Sequence, residues 1–146
     1  MTTTCKLFKF ILFLGAVAAS STAAAQDVVI VANKDVPVSQ ITNADLRNIF
    51  TGTRSRFSDG SRAVPVLLKG GPVHEVFLRK HVGDTPDEFR MRWRKAVFTG
   101  QASMLREFNS EVMLLQFIAS TPGAIGYVSH VGEGDAGSVK VLSMAP

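Results

Sequence analysis

Cysteine is nearly absent from this 146-residue chain, and the one copy, Cys5, stands in its first residues. A lone cysteine makes no internal disulfide. Cys5 also precedes the first apolar stretch, which places it badly for lipidation at a cleavage site. Tryptophan and tyrosine occur once each. Beyond residue 25 no apolar run approaches the ~20 residues a spanning helix needs, so no membrane span is expected there. No block of like charge suggests a nucleic-acid groove, and no nucleic-acid partner is expected. The three histidines show no metal-ligand spacing with Asp or Glu, and no metal or other cofactor is expected. There is no G-x-S-x-G elbow, and the scattered carboxylates pair with no nucleophile. Neither catalytic residues nor enzyme activity are expected.

The first 25 residues are composed as a leader. Lys6 and Lys9 give a positive start, Phe10 to Ala19 an apolar stretch, and Ala23-Ala24-Ala25 small residues before a cut at Gln26. That order is a secretory signal peptide, which implies a periplasmic or secreted product. Residues 26–146 then suit one domain with a real core, and not two. The formal charge of +4 includes Lys6 and Lys9 and falls to +2 without them.

The β-branched run from Asp27 to Ala32 suits a strand buried on both faces. Thr42 is placed as a helix N-cap with Asp45 at N3, and Leu46, Ile49 and Phe50 form the apolar stripe. Ala63 to Leu68 reads as a second strand, with Pro65 favouring its start or an edge. Lys69-Gly70-Gly71-Pro72 leads into a helix that places Val73, Val76 and Phe77 on one face and ends at Gly83. Thr85-Pro86-Asp87-Glu88 opens a stronger helix, whose Phe89, Trp93, Ala96 and Val97 should face inward. Asn109 or Ser110 caps a further helix through Ala119 with Val112, Leu115 and Ile118 inward. Ala124–Val128 and Ser138–Leu142 read as two more strands. The sum is an α/β domain, a mixed sheet of about four or five strands flanked by helices in two or three layers.

Ile49-Phe50-Thr51-Gly52, then Phe77, Trp93 and Phe98-Thr99-Gly100, then Thr121-Pro122-Gly123-Ala124-Ile125-Gly126-Tyr127-Val128 stand in an order that resembles the phosphate-type substrate-binding proteins of ABC importers, in the type II periplasmic binding protein class. The resemblance covers about Val28 to Leu142, and the Thr121–Val128 run is its most specific part. It implies a single periplasmic-binding-protein-like lobe, since a full family member closes two lobes over its ligand. Members that hold phosphate carry an Arg and a Ser-Gly-Thr run before the helix of the matched Phe. Here Leu67 and Gly71-Pro72-Val73 stand at those positions, without guanidinium or hydroxyl.

Gly70-Gly71 before a helix reads either as an anion cradle, with Lys69 and His74 adding charge, or as a tight turn with ordinary glycines. Thr51-Gly52-Thr53-Arg54 offers a second anion contact, or a helix cap and a solvated loop. The candidate ligand-binding residues are therefore Thr51, Thr53, Lys69, Gly70, Gly71 and His74. Arg90, Arg92, Arg94 and Lys95 read as a solvated face, or as a docking patch. Trp93 reads as core. The resemblance implies phosphate or a related small oxyanion as ligand and an ABC permease or envelope protein as partner. The alternative is a non-catalytic interaction module of the envelope that kept the fold and lost the ligand site.

Overall fold

The computed structural model describes residues 27–146, and the expected signal peptide at residues 1–25 lies outside the described residues. Branched side chains make β1 (Val29–Asn33) the middle of a six-stranded sheet. The chain continues through β2 (Gln40–Thr42), α1 (Asn43–Phe50), β3 (Val64–Leu68) and α2 (Pro72–Phe77). A π-helical turn, Leu78–Val82, carries α2 onward to α3 (Pro86–Phe98). Then come β4 (Arg106–Phe108), α4 (Glu111–Ser120), β5 (Ala124–Val128) and β6 (Val139–Ala145). The strand order is β2-β6-β1-β5-β3-β4. β1 runs antiparallel to both neighbours, with Val31 opposite Gly126 of β5 and Val141 of β6. β3 is parallel to β5 and β4, and β2 is parallel to β6.

Six strands exceed the four or five expected. The additional ones, β2 and β4, are three-residue edges, Gln40-Ile41-Thr42 and Arg106-Glu107-Phe108. Each pairs on one side and is largely polar, so neither carries the apolar signal that marks an interior strand. Pro65 sits near the start of β3, before β4 joins at Val66, where its missing N–H breaks no ladder with β4.

The helix starts form as the sequence dictates. Asp45 N donates to Thr42 Oγ1 at 3.0 Å, and Met113 N donates to Ser110 Oγ at 3.3 Å. Thr85 and Glu88 close a full capping box, with Glu88 N donating to Thr85 Oγ1 and Thr85 N donating to Glu88 Oε2. At the turn into β5, Gly123 has φ +78°, and a Cβ there would lie 2.4 Å from the carbonyl oxygen of Arg62.

β5 divides the core in two. Gly126 points toward α4, where a Cβ would meet Ile118 at 2.8 Å and Leu114 and Val66 at 3.1 Å. Tyr127 points the other way and stacks on Phe77 at 3.8 Å between ring centres, with Phe50 of α1 4.8 Å from Phe77. The helices therefore sandwich the sheet, α4 on one side and α1 and α2 on the other. In α4 the inward residues are Leu114, Leu115 and Ile118. Val112 is 64% exposed, contrary to the sequence expectation, because Leu114 and Ile118, a turn apart, meet the gap over Gly126. Trp93 is half-buried rather than central; it stacks on Phe89 at 6.1 Å and closes the margin of the core beside Gly52.

Candidate functional site

β3 ends at Leu68, and Lys69 N donates to Phe108 O at 2.9 Å, which ties the following loop to β4. Gly71, at φ +98°, turns the chain into α2 with Pro72 in its first turn. Lys69, Gly70 and Gly71 are exposed, but His74, one turn into α2, is 7% exposed. Its Nδ1 lies 2.5 Å from the Tyr127 hydroxyl, which also accepts the Leu68 N–H at 3.1 Å. The hydroxyl's own proton has no other acceptor among the described residues, which assigns it to His74 Nδ1. The imidazole is then the neutral tautomer with its proton on Nε2. Burial, and next the Arg90 guanidinium, hold the His74 pKa below its ordinary value. His74 therefore supplies a neutral N–H donor rather than the positive charge expected of it. Burial likewise raises the Tyr127 phenol above its ordinary value, so the hydroxyl stays protonated.

His74 and Lys69 line a cavity of about 260 Å³ walled by Leu67 and, from α3, by Phe89, Trp93 and Val97. Arg90 and Arg94 reach the same cavity, one helical turn apart, and Glu107 of β4 contributes the one carboxylate among its lining residues. Among the described residues Lys69, Arg94 and Glu107 form no ion pair, and Arg90 bridges Asp87 at 3.2 Å in an exposed contact. Three cations and one neutral N–H donor thus converge on an apolar-walled space at the carboxyl end of β3. Such a space suits a small anion and has no paired acid and base or nucleophile for covalent chemistry.

The remaining candidates fall elsewhere. Gly70 and Gly71 line a smaller cavity of about 190 Å³ with Asn109, Ser110 and Glu111. Thr51 Oγ1 donates to Arg47 O at 2.7 Å and lies 3.1 Å from Thr53 Oγ1, as in an ordinary helix end. Neither threonine lines a cavity with Lys69. Trp93 also walls a second space of about 260 Å³, toward Gly52, Arg54 and Ser103. On the π-helical turn, His81 Nδ1 donates to Asn43 Oδ1 at 2.8 Å and leaves Nε2 buried without a partner among the described residues. Burial lowers its pKa too. Sequence reading missed Arg90 and Arg94 as site residues, because charged residues on a helix usually face water. The signal available was position: they flank the Phe89–Trp93–Val97 stripe, so their stems lie along the same apolar margin.

No family model matches the chain, and no curated protein matches it. Solved structures do. A protein of Clostridium perfringens, described as a phosphate ABC transporter substrate-binding protein and solved with bound phosphate, is similar with TM-score 0.55 and 19% identity over 80% of this chain and 44% of its own. An ABC-type phosphate transport receptor from Vibrio cholerae is similar with TM-score 0.50 and 18% identity, over 80% of this chain and 45% of its own. PstS from Borrelia burgdorferi is similar with TM-score 0.54 and 15% identity, over 82% of this chain and 48% of its own. The chain spans less than half the length of these structures. In fold it resembles phosphate-type ABC-transporter substrate-binding proteins, as a short, single-lobe relative.

Proposed function

We propose that this chain is an exported, non-catalytic domain that binds a small oxyanion for import or sensing at the cell envelope, working with an ABC permease or another envelope protein. The observation that carries this reading is the convergence of Lys69, Arg90, Arg94 and the His74 N–H on one cavity, in a fold whose similar structures include one with bound phosphate. The guanidinium absent at Leu67 has counterparts here from a different element, α3. Gly70 and Gly71 remain part of the reading as the rim of the loop, and Thr51 and Thr53 as a separate, weaker contact. One lobe leaves its anion open to water and salt, which screens the attraction. Dissociation constants nearer millimolar than micromolar are expected, or about 4 kcal/mol of binding free energy. Isothermal titration of residues 26–146 with phosphate, sulfate and acetate tests this. Heat of binding for none of the three, and none for a larger carboxylate, overturns it.

A second reading, an interaction module of the envelope, is favoured by one feature. Phe98 at the end of α3 is 92% exposed, with Met91 and Met104 exposed as well.

A further inference from the structure

We infer that the cavity beside Lys69 takes a small organic monocarboxylate with an apolar body, its carboxylate toward Lys69, Arg94 and His74 Nε2 and its body against Phe89 and Trp93. This rests on the oxyanion reading above and narrows it to one chemical class. The walls decide between classes. A phosphate presents oxygens on every side and needs donors on every side. Here Leu67, Phe89, Val97 and Leu105 form much of the lining, and an oxygen turned toward them would lose its water without gaining a partner. A carboxylate confines its oxygens to one end and leaves the rest of the molecule free to be apolar.

The donors are set for such a group. Nδ1 of His74 is held by Tyr127, so Nε2–H is the ring donor left for the cavity. His74 is more than nine-tenths buried, and Nε2 has no hydrogen-bond partner among the described residues. Lys69 and Arg94 are exposed and form no ion pair among the described residues, so both are free to turn inward. The volume of about 260 Å³ lies just below the roughly 300–1,000 Å³ of drug-sized sites, so the occupant is compact. An aryl or branched alkyl group a few carbons from the carboxylate meets these conditions.

The chain contains one tryptophan, and it walls this cavity, so its fluorescence reports occupancy. The test titrates residues 26–146 with 3-phenylpropanoate, acetate and inorganic phosphate, following Trp93 emission and heat. The expected result is that 3-phenylpropanoate binds at least about tenfold tighter than acetate or phosphate, a step of about 1.4 kcal/mol. It should also shift the emission. Lys69→Gln and Arg94→Gln, both at exposed positions, should melt like the parent and weaken 3-phenylpropanoate about fivefold each, as screened charges do. Phosphate binding as tightly as 3-phenylpropanoate overturns the inference and leaves the oxyanion reading standing. Binding that neither substitution weakens also overturns it, since the site is then elsewhere. Binding of none of the three, and none of sulfate, overturns both.

Discussion

The two faces of the sheet are built on different principles, and adjacent residues of β5 show it. Gly126 lets α4 approach until Leu114 and Ile118 fill the space above it, and that face is sealed mainly by apolar contact, with the buried Asn33 amide donating to Ile118 O and Ala119 O as its polar tie. Tyr127, the next residue, carries a hydroxyl into the opposite face, where it joins Leu68 and His74 in a buried polar chain. That face also holds a second buried histidine, His81, and the cavity beneath α3. A dry interface tolerates no added volume and has nothing to titrate. A polar one is satisfied only while each group keeps its partner, and it can hold a ligand. The candidate site lies on the polar face, where His74 Nε2 keeps a donor without a partner among the described residues.

Gly126→Val should break the dry face and have the largest effect. The first added carbon already meets Ile118 at 2.8 Å, with Leu114 and Val66 close behind. Overpacking of this kind should cost about 3 kcal/mol, read as a lowered urea midpoint. A midpoint equal to the parent's would show that α4 can move away freely and that the face is not sealed. Tyr127→Phe should have a smaller effect, about 1–2 kcal/mol, because the ring still stacks on Phe77 while the Leu68 N–H and His74 Nδ1 lose their partner. It should also alter the ring-nitrogen NMR signals of His74 while leaving Gly126 and Ile118 signals near their places. Unchanged His74 signals would dissolve the polar chain as described.

The smallest effect is that of pH. His74 and His81 both hold their pKa values below the ordinary histidine value in the folded state, chiefly through burial. The unfolded chain therefore takes up protons first as pH falls below about 6.5, and stability declines from there downward while it is flat above. Melting temperatures at pH 7.5 and 5.5 should differ, the lower pH giving the lower value. His81→Gln should reduce the difference. An equal melting temperature at both pH values would mean that neither imidazole is as buried as the structure places it.

Much of this arrangement could be read in the sequence because local chemistry decided it. Thr42, Thr85 and Ser110 sit where helices need a hydroxyl, and each caps one. The Thr121–Val128 run, the most specific part of the resemblance, carries the positive-φ turn at Gly123 and the close approach at Gly126. Four strands were apolar enough to announce themselves. β2 and β4 were not, because an edge strand is defined by its neighbour rather than by its own residues. The site was half legible. Lys69 and His74 were recognised as one loop-and-helix unit, but the charge of His74 depended on Tyr127, distant in sequence. Arg90 and Arg94 looked like solvated charges until α3 was seen to lean over β3 and β4. Thr51 and Thr53 matched a pattern of hydroxyls, and in the fold those hydroxyls serve the end of α1 and each other.

The position of β1 also governs the order in which the chain can fold. It is the first described strand and lies at the centre of the sheet, flanked by β5 and β6, the last two. The residues paired with it run from Ile125 to Leu142, so the middle of the sheet is made of contacts between opposite ends of the sequence. Such distant pairing is slow, because a long loop must close before any contact repays it. A chain that emerges N-terminus first cannot complete its sheet until β6 has followed. Until β5 and β6 have both followed, at least one edge of the Val29–Asn33 segment stays unpaired and open to chaperones or to the wrong neighbour.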